Sequence, residues 1–417
     1  MIILTLLFYL VATLINLGLL WLLLEIGDSS LSEVVLPVQI GAWLIPTGLL
    51  LGLLGSLLLA APLEQHPGNA RLVRLFAAWP FGQQQVGKLL MGCLVVVVLS
   101  VGGLGMTGRG PLAFLGSPIT EFALPSSASS PEGITLGPDG NLWFTEGDGN
   151  RIGRLTPNGV FSEYPLPTPY SDPEGITSGP DGNLWFTEQG AGSKIGRITP
   201  QGVITEFRLP TLYSVPEGIT SGPDGALWFT EGNGNRIGRI TVQGAITDLP
   251  LPPSSRATKI TTGPDGALWF TEAEHNQIGR MTLQGALREF AVPSPGSGPG
   301  AITSGPDGNL WFTEQASQQI GRITPSGEIT EFLVSTYYVD AYQFTFGGIA
   351  VGVDGALWFT DVAGDQVGRI TTRGAISLFP LPATHSAPAG MTTGPGKTVW
   401  FTEKYGNQIG RIMLSTQ

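Results

Sequence analysis

The sequence predicts an all-β propeller of seven blades behind a membrane-spanning N-terminal segment, and two observations predict it. The phrase GPDGNLWFTE at 137–146 recurs, with small changes, at 179, 222, 263, 305, 352 and 394. Its spacing of 41 to 47 residues is typical of four-stranded propeller blades. The first 110 residues, in contrast, hold three long apolar runs. The chain therefore divides into a helical anchor at 1–110 and a propeller at 117–417.

Each repeat predicts four short strands joined by tight turns. In the first repeat these strands are 133–136, NLWFTE at 141–146, RIGRLT at 151–156 and VFSEYPL at 160–166. Gly, Asn and Asp stand between them, where hairpins need positive φ. In the second strand, Leu142 and Phe144 point to one face and Trp143 to the other. We therefore expect neighbouring blades to cover this strand on both faces.

The two ends of the repeat region predict a closed ring. The region opens with a lone fourth strand at 119–125 and finishes with a third strand at 409–413 that no fourth strand follows. Laying the first strand against the last three completes a seventh blade and pairs both open edges. We therefore expect one blade to be shared between the two ends.

The apolar runs at 1–24, 38–62 and 89–106 are each long enough to cross a hydrocarbon core as a helix. Three basic residues lie between the second and third runs, whereas the loop after the first run carries only acids. Because basic loops stay in the cytoplasm, we expect the propeller on the extracytoplasmic side, with the lipid bilayer as a partner. A buried helical hairpin of a soluble protein is the alternative.

The charge of the chain excludes one class of partner. The net charge is -11, and the charges of the first 110 residues sum to zero, so the excess of acid belongs to the propeller. Nucleic-acid binding needs clustered Lys and Arg, and we therefore expect no nucleic-acid partner. Cys93, the single cysteine, lies in an apolar run, so the propeller has no disulfide.

The residues that differ between blades point to the mouth of the central channel. Five residues before the first Gly of each phrase the blades carry, in order, Glu132, Glu174, Glu217, Thr258, Gly300, Gly347 and Ala389. We expect the three carboxylates to converge on one side of the axis, where they raise one another's pKa or bind a cation such as Mg²⁺ or Ca²⁺. The alternative is that these glutamates splay into water.

Tyrosines are expected at the same mouth. Tyr170 and Tyr213 each stand four residues before a mouth glutamate, and an insertion before the sixth blade carries Tyr337, Tyr338 and Tyr342. Tyrosine beside carboxylate suits an amphipathic, sugar-like or cationic ligand. We therefore expect a small-molecule, peptide or glycan ligand here; the alternative for the insertion is that it packs down as a plug.

Two residue types recur in all seven blades and are expected to pair across neighbouring strands, at 0.2 to about 1 kcal/mol per pair. The acids end the second strand: Glu146, Glu188, Glu231, Glu272, Glu314, Asp361 and Glu403. The arginines lie in the third strand: Arg154, Arg197, Arg239, Arg280, Arg322, Arg369 and Arg411.

The run GITSGPDGNLWFTE followed by KIGRITPQGVITEFRLP resembles the repeat of the virginiamycin B lyase (streptogramin lyase) family over about residues 118–417. The resemblance implies a seven-bladed propeller that linearises a cyclic depsipeptide antibiotic by elimination, using two histidines at the starts of the last two blades and a magnesium ion. The matching positions in this chain are Gly347 and Ala389. A general base must reach its proton, and neither residue can supply one.

We therefore expect a ligand- or partner-binding module. The alternative is a metal-dependent lyase or a hydrolase that uses carboxylates at the mouth. Its candidate catalytic residues are Glu174, His385 and Glu403, with His385 as a surrogate base that could swing towards Glu403.

Overall fold

The computed structural model describes residues 119–190, 192–334 and 346–414. The chain divides between Gly116 and Ser117, and every described residue lies in the second unit. In these ranges all regular structure is β, and no helix is long and apolar enough to span a membrane. The predicted helices at 1–24, 38–62 and 89–106 lie outside the described residues, as do Tyr337, Tyr338 and Tyr342.

The strands form seven antiparallel four-stranded sheets, one per blade. The innermost strands of blades one to seven are β2 (Pro131–Leu136), β6 (Pro173–Ser178), β10 (Pro216–Ser221), β14 (Ile260–Thr262), β18 (Pro299–Ser304), β22 (Phe346–Val351) and β26 (Pro388–Gly394). The second strands are β3 (Leu142–Glu146), β7 (Leu184–Glu188), β11 (Leu227–Glu231), β15 (Leu268–Glu272), β19 (Leu310–Glu314), β23 (Leu357–Asp361) and β27 (Thr398–Glu403).

The outer half of each blade follows the same order. The third strands are β4 (Arg151–Leu155), β8 (Lys194–Ile198), β12 (Arg236–Ile240), β16 (Gln277–Met281), β20 (Gln319–Ile323), β24 (Gln366–Ile370) and β28 (Gln408–Met413). The outermost strands of blades one to six are β5 (Phe161–Pro165), β9 (Ile204–Arg208), β13 (Ile246–Pro250), β17 (Leu287–Ala291), β21 (Ile329–Leu333) and β25 (Ile376–Pro380). The seventh blade takes its outermost strand, β1 (Ile119–Ala123), from the start of the described region.

The shared seventh blade is confirmed. Its strand order is β1-β28-β27-β26, and β1 pairs antiparallel with β28 from Ile119 opposite Ile412 to Ala123 opposite Gln408. Phe122 of β1 stacks on Trp400 of β27 with their ring centroids 5.5 Å apart. The chain ends therefore pair with each other and leave no open blade.

The core consists of seven apolar clusters, each lying between two neighbouring blades. Trp143 of blade one, for example, packs with Leu184 and Phe186 of blade two, while Leu142 and Phe144 pack with Trp400 of blade seven. All five residues of β3 are buried. The repeated phrase therefore gives each blade a second strand that neighbours cover on both faces, as its apolar pattern predicts.

The expected pairing between the repeated acids and arginines is wrong. Arg154 lies opposite Trp143, not opposite Glu146, because the third strand runs back from the acid towards the other end of the blade. Its guanidinium carbon lies 5.5 Å from the centroid of the Trp143 ring, a cation–π contact. The indole N–H of Trp143 donates to Asp139 of the PDG turn at 3.0 Å.

One residue per blade decides the hydrogen-bond partner of this arginine. In blade one, Asn141 donates to the second carboxylate oxygen of Asp139, and Arg154 instead donates to the Pro200 carbonyl of blade two. Blade three carries alanine at this position. Its Arg239 therefore donates to the second carboxylate oxygen of Asp224, at 2.7 Å. Blades two and five follow the asparagine pattern, whereas four and six follow the alanine pattern.

Candidate functional site

A β-bulge at the start of the inner strand positions each mouth glutamate. In β2 the register shifts between Pro131 and Ile134, so that Glu132 and Gly133 together lie opposite Thr145. A bulge of this kind redirects the extra side chain. The same shift occurs at the starts of β6 and β10, which carry the other two glutamates.

A threonine hydroxyl then fixes the backbone of each mouth glutamate to the preceding blade. Thr145 accepts from the Gly133 N–H at 2.9 Å and donates to the Glu174 carbonyl at 2.7 Å. Thr187 donates to the Glu217 carbonyl in the same way, at 2.8 Å. A Cβ on Gly133 would lie 2.3 Å from the Glu174 carbonyl oxygen, so this close approach requires glycine.

The inner strands enclose a channel mouth with a volume of about 890 Å³. Glu132, Glu174 and Glu217 line it on three successive blades. Thr258 of blade four follows them in the same register, and Gly300, Gly347 and Ala389 line the mouth at the remaining three positions. One flank therefore carries carboxylates, whereas the other presents backbone and a single methyl group.

Two lysines neutralise two of the three carboxylates. Lys259 of blade four reaches past blade three and forms an ion pair and hydrogen bond with Glu174 of blade two. Lys404 of blade seven pairs with Glu132 of blade one in the same way. The pKa of each lysine is raised because these carboxylates stabilise its charge more than burial opposes it. Ammonium groups are therefore the counter-charges at these two glutamates.

Glu217 has no lysine partner of its own among the described residues. Burial and, after it, the negative charge of Glu174 raise its pKa to about 7, against the opposing charges of Lys259 and Arg256. Arg256 instead pairs with Glu274 at 2.5 Å. Glu217 therefore changes charge near neutral pH.

The inner strands also line the channel with one apolar residue per blade: Ile134, Ile176, Ile219, Ile260, Ile302, Ile349 and Met391. These side chains are only 7 to 8% exposed, and Thr177, Thr220, Thr261 and Thr303 line the channel beside them. A ligand in the mouth therefore meets carboxylates on one flank and a mixture of apolar and hydroxyl side chains along the strands.

Tyr170, Tyr213 and His385 lie in the loops before the inner strands, outside the residues that line the channel. Tyr170 and Tyr213 are 85% and 79% exposed. His385 occupies the matching position before the seventh blade, and all three residues have positive φ. The His385 backbone N–H donates to Asp365 at 2.6 Å. The structure therefore does not bring these two tyrosines or the imidazole into the channel.

Glu403, the remaining catalytic candidate, belongs to a ring of buried acids at the ends of the second strands. Burial is the main cause that raises the pKa of Glu403 to about 7. It also raises the pKa of the equivalent acids in blades two to five to about 7: Glu188, Glu231, Glu272 and Glu314. Glu403 and Glu272 are both fully buried, and among the described residues neither carboxylate forms an ion pair. The hydroxyls of Ser386 and Ser255 oppose the rise in their pKa. These carboxyls do not line the channel, and they are candidates for a role in stability.

The mouth was also expected to hold a metal ion. Among the described residues no group of three or more His, Cys, Asp or Glu side chains is placed to do so. Glu132 and Glu174 already have ammonium partners. These residues therefore fit a divalent cation poorly, and Mg²⁺ or Ca²⁺ at this mouth stays a prediction.

Lys259 and Lys404 are the site residues that sequence reasoning missed. Lys259 stands where the first three blades carry Gly133, Gly175 and Gly218, so the departure is visible in ATKIT against PEGIT. Lys404 directly follows the WFTE phrase of the last blade. A search for repeat positions at which one blade alone carries a lysine would have found both.

The fold and the mouth define a class of protein: a seven-bladed propeller with a shared blade, whose variable residues surround one end of the channel. The model of the virginiamycin B lyase family matches residues 110–257 and 252–417. Together these matches cover more than half of the chain. The chain therefore belongs to the virginiamycin B lyase family.

Individual relatives support the same assignment. A virginiamycin B lyase from Bacillus licheniformis is 51% identical over 41 residues, which is 10% of this chain and 14% of that protein. The crystal structure of virginiamycin B lyase from Staphylococcus aureus is 43% identical, with a TM-score of 0.67 over 71% of this chain and 99% of that one. A catalytically inactive form of that enzyme with quinupristin is 42% identical, with the same TM-score and coverage.

Proposed function

We propose that this protein is a membrane-anchored, extracytoplasmic propeller that binds a small-molecule, peptide or glycan ligand at its channel mouth. The observation that carries the proposal is the one-sided mouth: no lysine among the described residues forms an ion pair with Glu217, and the opposite flank leaves room for a ligand. Clefts of several hundred cubic ångströms with few polar groups are the usual form of ligand sites. The three apolar runs in the sequence support the anchor.

A binding role is favoured over catalysis by the residues at two positions. Gly347 and Ala389 stand where the resemblance to the family's lyases implies histidines, and both line the mouth. His385 lies in the loop before the seventh inner strand, and no described imidazole lines the channel. A general base must lie within hydrogen-bond reach of the proton it removes.

The second candidate function is a lyase or hydrolase that uses a mouth carboxylate as base. One observation favours it: Glu217 has a pKa near 7, which suits a general base at neutral pH. Propeller frameworks serve unrelated functions, so the residues of the mouth decide between the candidates.

Quinupristin separates the two candidates, because a relative of 42% identity has been crystallised with it. The full chain in detergent is titrated with quinupristin by calorimetry, then incubated with it, with and without Mg²⁺, and analysed by liquid chromatography with tandem mass spectrometry. Elimination opens the ring without a change of mass, whereas hydrolysis adds one water. We expect no ring opening; turnover that Glu217→Gln abolishes would establish the enzyme instead.

A binding test covers ligands other than quinupristin. Ala389→Phe fills the bare flank, so it should weaken any mouth ligand while the melting temperature stays unchanged. Glu328→Gln is the matched control, because Glu328 is exposed in a loop away from the channel. If Ala389→Phe leaves the affinity of every ligand found unchanged, the mouth is not the binding site.

A further inference from the structure

We infer that the acidic flank of the mouth recognises an organic cation, a protonated amine or amidine, which binds to Glu217 and Glu174 in place of the Lys259 ammonium. This inference rests on the proposed function, because it names the ligand chemistry of the same mouth.

The chain itself places an alkylammonium group in this flank. Lys259 extends from blade four to Glu174 on blade two, and the charges of Glu174 and Glu217 both stabilise its ammonium. The geometry is therefore complementary to an ammonium group on a flexible apolar stem. The Lys259 side chain is 37% exposed and that of Glu174 is 16% exposed, so the pair is open to the channel. A ligand amine can therefore compete with the Lys259 ammonium for these carboxylates.

The charges of the flank leave room for one more cation. Three carboxylates, Glu132, Glu174 and Glu217, face two ammonium groups, those of Lys259 and Lys404. Arg256 is engaged by Glu274, and Asp172 adds a further carboxylate beside Glu174. The excess is negative, so an anionic ligand is disfavoured.

The remainder of the mouth suits an organic cation more than a metal ion. The bare flank at Gly300, Gly347 and Ala389 leaves space beside the carboxylates for the body of an organic ligand. Among the described residues no group of three or more His, Cys, Asp or Glu side chains is placed to hold a metal ion. The ammonium groups beside Glu174 and Glu132 repel a divalent cation more strongly than a single charge.

Benzylamine and benzyl alcohol are matched probes, since they share one ring and differ in charge. Binding to the full chain in detergent is measured by ligand-observed NMR, with empty micelles subtracted. We expect benzylamine to bind at least tenfold more tightly than benzyl alcohol, as a hydrogen bond to a charged group allows. Glu217→Gln should remove most of that difference, and Glu328→Gln should not.

Two further readouts test the site itself. The charged groups that act on Glu217 are Glu174, Lys259 and Arg256, and its pKa of about 7 predicts about tenfold tighter benzylamine binding at pH 8 than at pH 6. Lys259→Met removes the internal competitor and should tighten benzylamine binding about two- to fivefold. Weaker binding in Lys259→Met would overturn the inference, because the lysine would then hold the ligand.

The remaining outcomes separate this inference from the proposed function. No benzylamine binding at millimolar concentration, equal binding of both probes, or displacement of benzylamine by submillimolar Mg²⁺ or Ca²⁺ would each overturn the amine site. If both probes bind equally and Ala389→Phe weakens both, the mouth is still a ligand site. If no mouth variant changes any binding, both proposals fail.

Discussion

Replacing Glu272 with glutamine should stabilise the propeller at pH 8 and leave its stability unchanged near pH 4. Glu272 is fully buried at the end of β15, and among the described residues no basic group pairs with its carboxylate. Burial and, after it, the charge of Glu289 raise its pKa from 4.5 to about 7, against the opposing effect of the Ser255 hydroxyl. Unlike Glu146, it has a glutamine and not an arginine opposite it across the strands.

The sign and size of the effect follow from proton linkage. A carboxyl whose pKa is raised on folding contributes stability that is complete below pH 4.5 and is lost as the pH rises to about 7. The shift of about 2.5 pKa units corresponds to about 3 kcal/mol. Glutamine keeps the shape and never ionises, so the variant should gain up to that amount above pH 7. For roughly 300 residues this is about 5 °C in melting temperature.

The assay is differential scanning fluorimetry of the full chain in detergent at intervals from pH 4 to pH 8.5, with Glu328→Gln as the exposed control. The difference between variant and wild type should appear between pH 4.5 and 7 and then level off. If Glu272→Gln lowers the melting temperature equally at every pH, the carboxyl is not a neutral buried group and the linkage argument is wrong.

Two other predictions concern the framework. Gly133→Ala should destabilise the propeller by about 3 kcal/mol in urea unfolding, because its Cβ would meet the Glu174 carbonyl at 2.3 Å. Gly140→Ala, which has open space but a φ of 76°, should cost about 1 kcal/mol. A cost at Gly133 no larger than that at Gly140 would refute the steric argument. In Ala226→Asn the new amide should bond Asp224 and so release Arg239 from it. A crystal structure of the variant should then show the Arg239 guanidinium bonded to a backbone carbonyl of blade four. An unchanged pair of Arg239 and Asp224 would refute the role of this position.

The seven blades could be predicted from the sequence because one phrase places a buried tryptophan between blades in every repeat. Trp143 is buried between blades and bonded to Asp139, and a pattern of apolar residues on both faces of a strand already implies two neighbours. The direction of the arginines could have been predicted as well. The third strand runs antiparallel to the second, so Arg154, three residues into it, lies far from Glu146.

The glutamates of the mouth were accessible to sequence reasoning, whereas their partners were not. Glu174 lies at the start of an inner strand, a position that counting along the repeat identifies. Lys259 reaches Glu174 across two blade intervals, and that reach depends on the channel width and on the short inner strand β14 of blade four. Neither the channel width nor the length of β14 can be read from the repeat spacing. The sequence alone therefore does not indicate which residue pairs with the lysine of the fourth repeat.

The symmetry of the ring limits what the repeated residues can do. Any residue present in all seven blades presents the same group seven times around the axis, so it cannot orient a ligand that lacks sevenfold symmetry. Orientation must come from the residues that break the repeat at the mouth, which are Glu217, Lys259 and the bare positions opposite them. Variants of the repeated residues should therefore change the melting temperature before they change affinity. Variants of the symmetry-breaking residues should change affinity while the melting temperature stays constant.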